Sequence, residues 1–260
     1  MHNGAIMSSE VRHLVDSARP YPLVRLSGRL DATTAGTVRD VLLDVLARQP
    51  EAVVVDVSEL QMGEPSAVEV LREVWRETTA WPAAHLTLCD SRGATPWQGS
   101  GWAIRDDSAR AMAELGRPRA DRRISLDLEP QVGAARQCRE MISEACDRWG
   151  QESLVESACI VATEMVNNVV AHAGTSMIAL LATKSDGVSI AVRDRSTITP
   201  SYSGGPVPAT AYGGRGMLLI DSVATRWGSL ALADGKVVWA LLTGSENSGK
   251  SEGMATQRRG

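Results

Sequence analysis

The sequence predicts two α/β units in tandem. Three observations carry this. Apolar runs of strand length alternate with segments of helical period in both halves of the 260 residues. A charged stretch with a proline, Gly116–Arg123, interrupts the pattern near the middle. The length allows one large or two small domains, and 43% apolar with 22% charged residues is ordinary globular composition.

In the first half, Val11–Val15 and Leu23–Leu30 read as opening strands. Leu30-Asp31-Ala32-Thr33 starts a helix with Asp31 as cap, and Val38, Val41, Leu42, Val45 and Leu46 follow at helical spacing. Ala52–Val57 is apolar apart from Asp56, as a buried parallel strand is. Pro65 suits a first helical turn and precedes Val68, Val70, Leu71, Val74 and Trp75. His85–Cys89 is a strand and Asp106–Leu115 a closing helix. Three glycines and a proline in Gly93–Trp102 exclude a regular helix there. Trp97 and Trp102 either pack on the second unit or cover the core of the first.

The second half opens with strand Ile124–Leu128 and a helix from Pro130 to about Trp149. A second helix runs from about Leu154 to Ala173. Met177–Ala182 and Val188–Arg193 are strands, and Thr199–Gly213 is a loop rich in Pro, Gly and Ser. Met217–Val223 is a short helix. Arg226–Leu232 and Lys236–Leu242 form a hairpin around Asp234-Gly235. These elements place the units at 11–115 and 123–244, with 116–122 as linker and 245–260 as a polar, disordered tail.

The net charge of −4 and pI near 5.7 argue against a nucleic-acid partner. The start lacks the basic and apolar regions of a signal peptide, and no run of 18 apolar residues exists, so no membrane segment is expected. Cys89, Cys138, Cys146 and Cys159 have no metal-binding spacing and read as buried reduced thiols of a cytoplasmic protein.

Chemistry concentrates in the second half. Glu164, Asn168 and His172 recur at four-residue steps, a single polar stripe on an otherwise apolar helix. From Ser157 to Ala173 Glu164 is the only charge, so the helix is mostly buried and turns its stripe to a polar cavity. Glu164 suits a general base, and the Asn168 oxygen suits Mg²⁺, which takes few protein ligands beside phosphate and water. His172 continues the face but reads as a core histidine with one satisfied hydrogen bond. Val188, Ile190, Val192 and Asp194 share one strand face, so Asp194 points inward. A buried carboxylate needs a donor. Either an adenine amino group supplies it, or Asp194 caps the next turn. Gly213-Gly-Arg-Gly-Met leads into a helix N-terminus, where free N–H groups favour phosphate. Arg215 pairs a phosphate or is solvated.

The ordered set Glu-x-x-x-Asn-x-x-x-His, strand-Asp, Pro/Gly loop, Gly-Gly-Arg-Gly and Gly-Lys-x-x-Trp resembles the GHKL ATPase superfamily, and within it the anti-sigma-factor serine kinases of bacteria. The resemblance covers about Arg123–Leu242. It implies a two-layer α/β (Bergerat) sandwich holding Mg-ATP under a mobile lid. It implies Glu164 as catalytic base, Asn168 as Mg²⁺ ligand, Asp194 as adenine contact, and Gly214, Arg215 and Gly216 as phosphate-loop residues. It also implies Arg136 as a contact for protein partners, and a homodimer through this domain. The chain departs from the superfamily after Asp194, where Arg195-Ser-Thr-Ile198 replaces a glycine-bearing box and leaves less room for backbone to approach a ligand.

Leu23–Asp31, the following helix and Val53–Leu60 resemble a STAS domain, the fold of anti-sigma-factor antagonists, over about Val11–Leu115. This implies a βαβ sheet with helices. The family's phosphoacceptor serine falls on Pro65, which has no hydroxyl; Ser66 beside it is the remaining, weaker acceptor. Together the resemblances imply a regulator that binds Mg-ATP, phosphorylates a serine on a separate STAS antagonist and controls a sigma factor. The altered Asp194 box and Pro65 leave a second reading open: a non-catalytic ATP-binding interaction protein. Domain order alone suggests the first unit as a built-in occupant of the second unit's partner face.

Overall fold

The computed structural model describes residues 10–93, 95–184, 187–198 and 215–244. It is a mixed α/β fold of two five-stranded sheets. The first has the order β1-β2-β3-β4-β5: β1 (Val11–Asp16), β2 (Leu23–Leu30), β3 (Ala52–Met62), β4 (His85–Cys89) and β5 (Ala103–Arg105). β1 is an antiparallel edge, and the other four strands are parallel. Helices α1 (Ala35–Leu46) and α2 (Glu69–Thr78) share a core with Val53, Val55 and Val57. Helix α3 (Ser108–Leu115) closes a smaller core with Leu23, Val54 and Cys89. The first four residues of β3, Ala52–Val55, are all apolar and buried because both faces of the strand are covered there.

Several elements depart from the sequence expectation. Helix α1 starts at Ala35, because the Asp31 carboxylate caps a preceding turn, accepting from the Thr33 N–H at 3.0 Å and the Thr33 hydroxyl at 2.7 Å. Pro65 opens a 3₁₀ turn, Pro65–Val68, and α2 follows it. The short strand β5 has no period to betray it. In the glycine-rich stretch before β5, Trp97 donates to Asp90 at 2.7 Å and Trp102 to the Leu71 carbonyl at 2.9 Å. Both indoles therefore belong to the core beside the first sheet.

The second sheet has the order β6-β7-β8-β10-β9 and is antiparallel throughout: β6 (Arg123–Leu128), β7 (Met177–Lys184), β8 (Gly187–Asp194), β9 (Arg226–Leu232) and β10 (Gly235–Thr243). Helices α4 (Ala134–Trp149), α5 (Val155–Asn168) and α6 (Arg215–Val223) build one core with the inward residues Val188, Ile190, Val192, Val238, Ala240 and Leu242. Pro130 does not open α4; Glu129–Gly133 form a turn first, with the Gln131 N–H donating to the Glu129 carbonyl at 2.8 Å. The helical stretch Glu152–Ala173 is long and apolar enough by composition to cross a membrane. Here it is the central helix of this layer, burying Ala158, Val161, Ala162, Met165 and Val166. The expected loop Thr199–Gly213 and the expected tail from 245 lie outside the described residues.

The opposite face of the second sheet is also apolar. Leu180, Ala191, Leu230, Leu232, Val237 and Trp239 join the same core as Val38, Leu42, Val45 and Leu46 of α1. Polar contacts frame this junction. Gln49, buried and left-handed at φ 56°, donates to the Ser189 hydroxyl at 2.9 Å. Arg193 meets Asp44 at 2.7 Å and Asp234 at 3.1 Å. Arg123 donates to the Gln49 carbonyl at 2.5 Å. One helix thus serves both sheets.

Trp239→Ala empties an aromatic site in this shared core and is expected to lower stability by about 3–5 kcal/mol in urea unfolding. Asp44→Ala is expected to cost under about 1 kcal/mol, because the Asp44 side chain is half-exposed and Arg193 keeps Asp234.

Burial pushes the thiols of Cys89 and Cys138 up to about 12 and that of Cys146 up to about 11. All four cysteines are free. A raised thiol pKa leaves little thiolate at pH 8. Alkylation of the native protein followed by mass spectrometry should label the half-buried Cys159 first and the other three only after unfolding.

Candidate functional site

Helix α5 delivers two polar groups to one place. Its buried face packs on β8, and its C-terminal half faces α6. Glu164 and Asn168 are half-buried and one turn apart. The Glu164 carboxylate lies against the first turn of α6; a Cβ added to Gly216 would stand 2.6 Å from its Oε2. A side chain there would push against the flexible carboxylate tip and not against backbone. Asn168 donates from Nδ2 to the Met217 sulfur at 3.7 Å, which leaves its Oδ1 free of any described donor. Both predicted stripe residues thus converge on the α6 N-terminus, where N–H groups and the helix dipole favour an anion.

His172 departs from the stripe. After Asn168 the helix widens into a π turn, Val169–Ala173, closed by the Gly174 N–H donating to the Val169 carbonyl at 2.8 Å. The wider turn breaks the four-residue step, and His172 is exposed. It is not the core histidine that the sequence suggested.

Asp194 faces the helix layer with Val188, Ile190 and Val192, as the strand alternation requires, and is 2% exposed. Its carboxylate is met within the chain. Oδ1 accepts from the Ser196 N–H at 2.6 Å, a turn cap, and from the Lys236 ammonium at 2.9 Å. Lys236 stands opposite Asp194 in the β8–β10 pairing and also donates to the Ser196 carbonyl at 3.1 Å. The close turn holding this pair needs Gly235, because a Cβ there would collide with the Asp194 carbonyl. The role of Lys236 escaped the sequence reading. Its signal was a lone lysine opening an apolar strand in an arginine-rich chain.

The other predicted residues are scattered. Gly214 lies outside the described residues, as does the Arg215 side chain, although Arg215 begins α6. Arg136 is exposed on α4 and paired with Glu140 at 2.8 Å. Ser66 is exposed in the 3₁₀ turn beyond β3, far along the chain from the second sheet. Among the described residues no three His, Cys, Asp or Glu side chains form a metal cluster.

Residues 126–240 match the family model of the histidine kinase-like ATPase domain, which implies ATP binding by this part of the chain. Solved structures similar to this chain include the following three. An anti-sigma factor antagonist from Mycobacterium paratuberculosis is 20% identical, with 42% of this chain and 96% of that one covered and a TM-score of 0.36. The RsbU and RsbW domains of a Mycobacterium tuberculosis protein are 18% identical, with 49% of this chain and 33% of that one covered and a TM-score of 0.36. The anti-sigma factor antagonist SpoIIAA in its unphosphorylated form is 16% identical, with 40% and 96% covered and a TM-score of 0.33. No curated protein matches the chain.

Gly216→Ala tests the close approach. The methyl group displaces the Glu164 carboxylate, while alanine suits the helix better than glycine by up to about 1 kcal/mol. The variant should melt no more than a few degrees from wild type, yet bind ATP about tenfold more weakly by calorimetry.

Proposed function

We propose that this protein is a cytoplasmic partner-switching regulator of the anti-sigma type, with an ATP-dependent serine kinase module in its second half. The observation that carries the reading is the convergence of Glu164 and Asn168 on the N-terminus of α6. On this reading 11–115 is a STAS-like module, 116–122 a linker and 123–244 the ATP-binding module. The external substrate is a serine on a separate STAS antagonist, and the alternate partner is a sigma factor.

The site residues divide the work by chemistry. The α6 N-terminus, with Gly214 and Gly216 at its approach and Arg215 as a cation, receives phosphate. The Asn168 amide oxygen is a hard donor suited to Mg²⁺. When bound, that ion neutralises charge on the transferring phosphoryl group. Glu164 accepts the proton of the attacking serine hydroxyl. Asp194 offers its acceptor oxygens to the exocyclic amine of adenine. Arg136, exposed on α4, is a contact for the protein partner.

A second reading follows from the first module and from Asp194. Pro65 stands where a STAS switch carries its acceptor hydroxyl, and the Asp194 carboxylate is already held by Lys236 and Ser196. Both suit a non-catalytic ATP-binding scaffold in the same network. Phosphate transfer separates the two. With radiolabelled ATP and a panel of STAS proteins, wild type should transfer phosphate to serine. Glu164→Ala should lower transfer by at least about 10²-fold while changing the ATP dissociation constant less than about threefold. Transfer retained in Glu164→Ala would remove the base role; ATP binding without transfer to any STAS protein would favour the scaffold.

A further inference from the structure

We infer that Lys236 is a positioning residue for the nucleotide base, fixing Asp194 so that the site selects adenine over guanine. The inference rests on the proposed ATP site. Lys236 and Asp194 are paired across β8 and β10 and are 8% and 2% exposed, among apolar neighbours Val192 and Val238. In such surroundings an unpaired carboxylate is costly, and a counter-ion at 2.9 Å offsets that cost. The geometry is one-sided. Both hydrogen bonds from described residues, from Lys236 and from the Ser196 N–H, fall on Oδ1. Oδ2 receives none from the described residues.

The consequence is chemical. A charged carboxylate only accepts hydrogen bonds, so Oδ2 meets the adenine amino group and repels the guanine O6. The neutral carboxyl carries an O–H that donates to O6 as readily as it accepts elsewhere. A buried acid without its counter-ion takes the neutral form. Lys236 therefore acts on selectivity through Asp194 without touching the base. Its compact ammonium matters too. A guanidinium in its place would engage both carboxylate oxygens and occupy Oδ2.

The test uses the full chain with Mg²⁺, titrating ATP and GTP by calorimetry into wild type, Lys236→Met and Lys236→Arg, with a melt of each protein without nucleotide. Wild type should prefer ATP. Lys236→Met should narrow the ATP/GTP preference at least about tenfold. Lys236→Arg keeps the charge pair, should stay folded, and should bind ATP about tenfold more weakly. If Lys236→Met does not fold, the arginine variant alone decides. A lowered melting temperature with both affinities and their ratio unchanged in the folded variants would overturn the inference, leaving a salt bridge that serves only the fold. Absence of ATP binding in wild type would overturn the proposed nucleotide site itself, and this inference with it; wild-type binding with unaltered variants overturns the inference alone.

Discussion

The second sheet has two apolar faces, and the rest of the molecule is arranged to cover both. One face is met by α4, α5 and α6. The other, with Leu230, Val237 and Trp239, is met by the first half of the chain. A sheet left bare on that side would expose an apolar patch of the kind that recruits partners or aggregates. Helix α1 resolves this by facing two sheets at once. It needs apolar residues on more than one stripe, and Val38, Leu42, Leu43, Val45 and Leu46 supply them. The polar bonds around Gln49 and Arg193 then set orientation where apolar packing alone would allow sliding.

Much of this was legible in the chain. Strands that open on a valine run, such as β3, and strands with apolar residues at every second position, such as β8, stood out by pattern. The bounds of β8 moved by one residue at each end, whereas β3 continues past its apolar run to Met62. Helix starts were harder, because Asp31 and Pro130 are strong turn formers, and the turns they form precede the helices. A cap residue announces that a helix is near without saying whether one further turn intervenes. The three-residue β5 carries too little pattern to read. The junction between the halves was not foreseen, although β10 gave notice of it. Val237-Val-Trp-Ala-Leu-Leu242 is apolar at every position, and an antiparallel strand wetted on one face would alternate.

The candidate site shows the same division. Glu164 and Asn168 could be placed together because one helical turn relates them, and a turn is local geometry. That they meet Gly216 required α6 to return from about fifty residues away, which pattern does not reveal. His172 failed for a local reason, the π turn, which begins one residue after the last position that period governs. Asp194 was placed on the correct face but its partner was not named. Cross-strand pairs depend on which strands are neighbours, and the β8–β10 pairing skips β9.

Strand β8 carries two unlike duties on adjacent residues. Arg193 points to the junction with the first half, and Asp194 to the helix layer. Their separation in space comes only from the pleat. A slip of β8 by one residue would exchange them, setting a guanidinium beside Lys236 and Val238 of β10 and a carboxylate against Asp44. Insertions and deletions inside β8 are thus doubly penalised, and length variation among descendants of this chain should collect in the connections on either side of it.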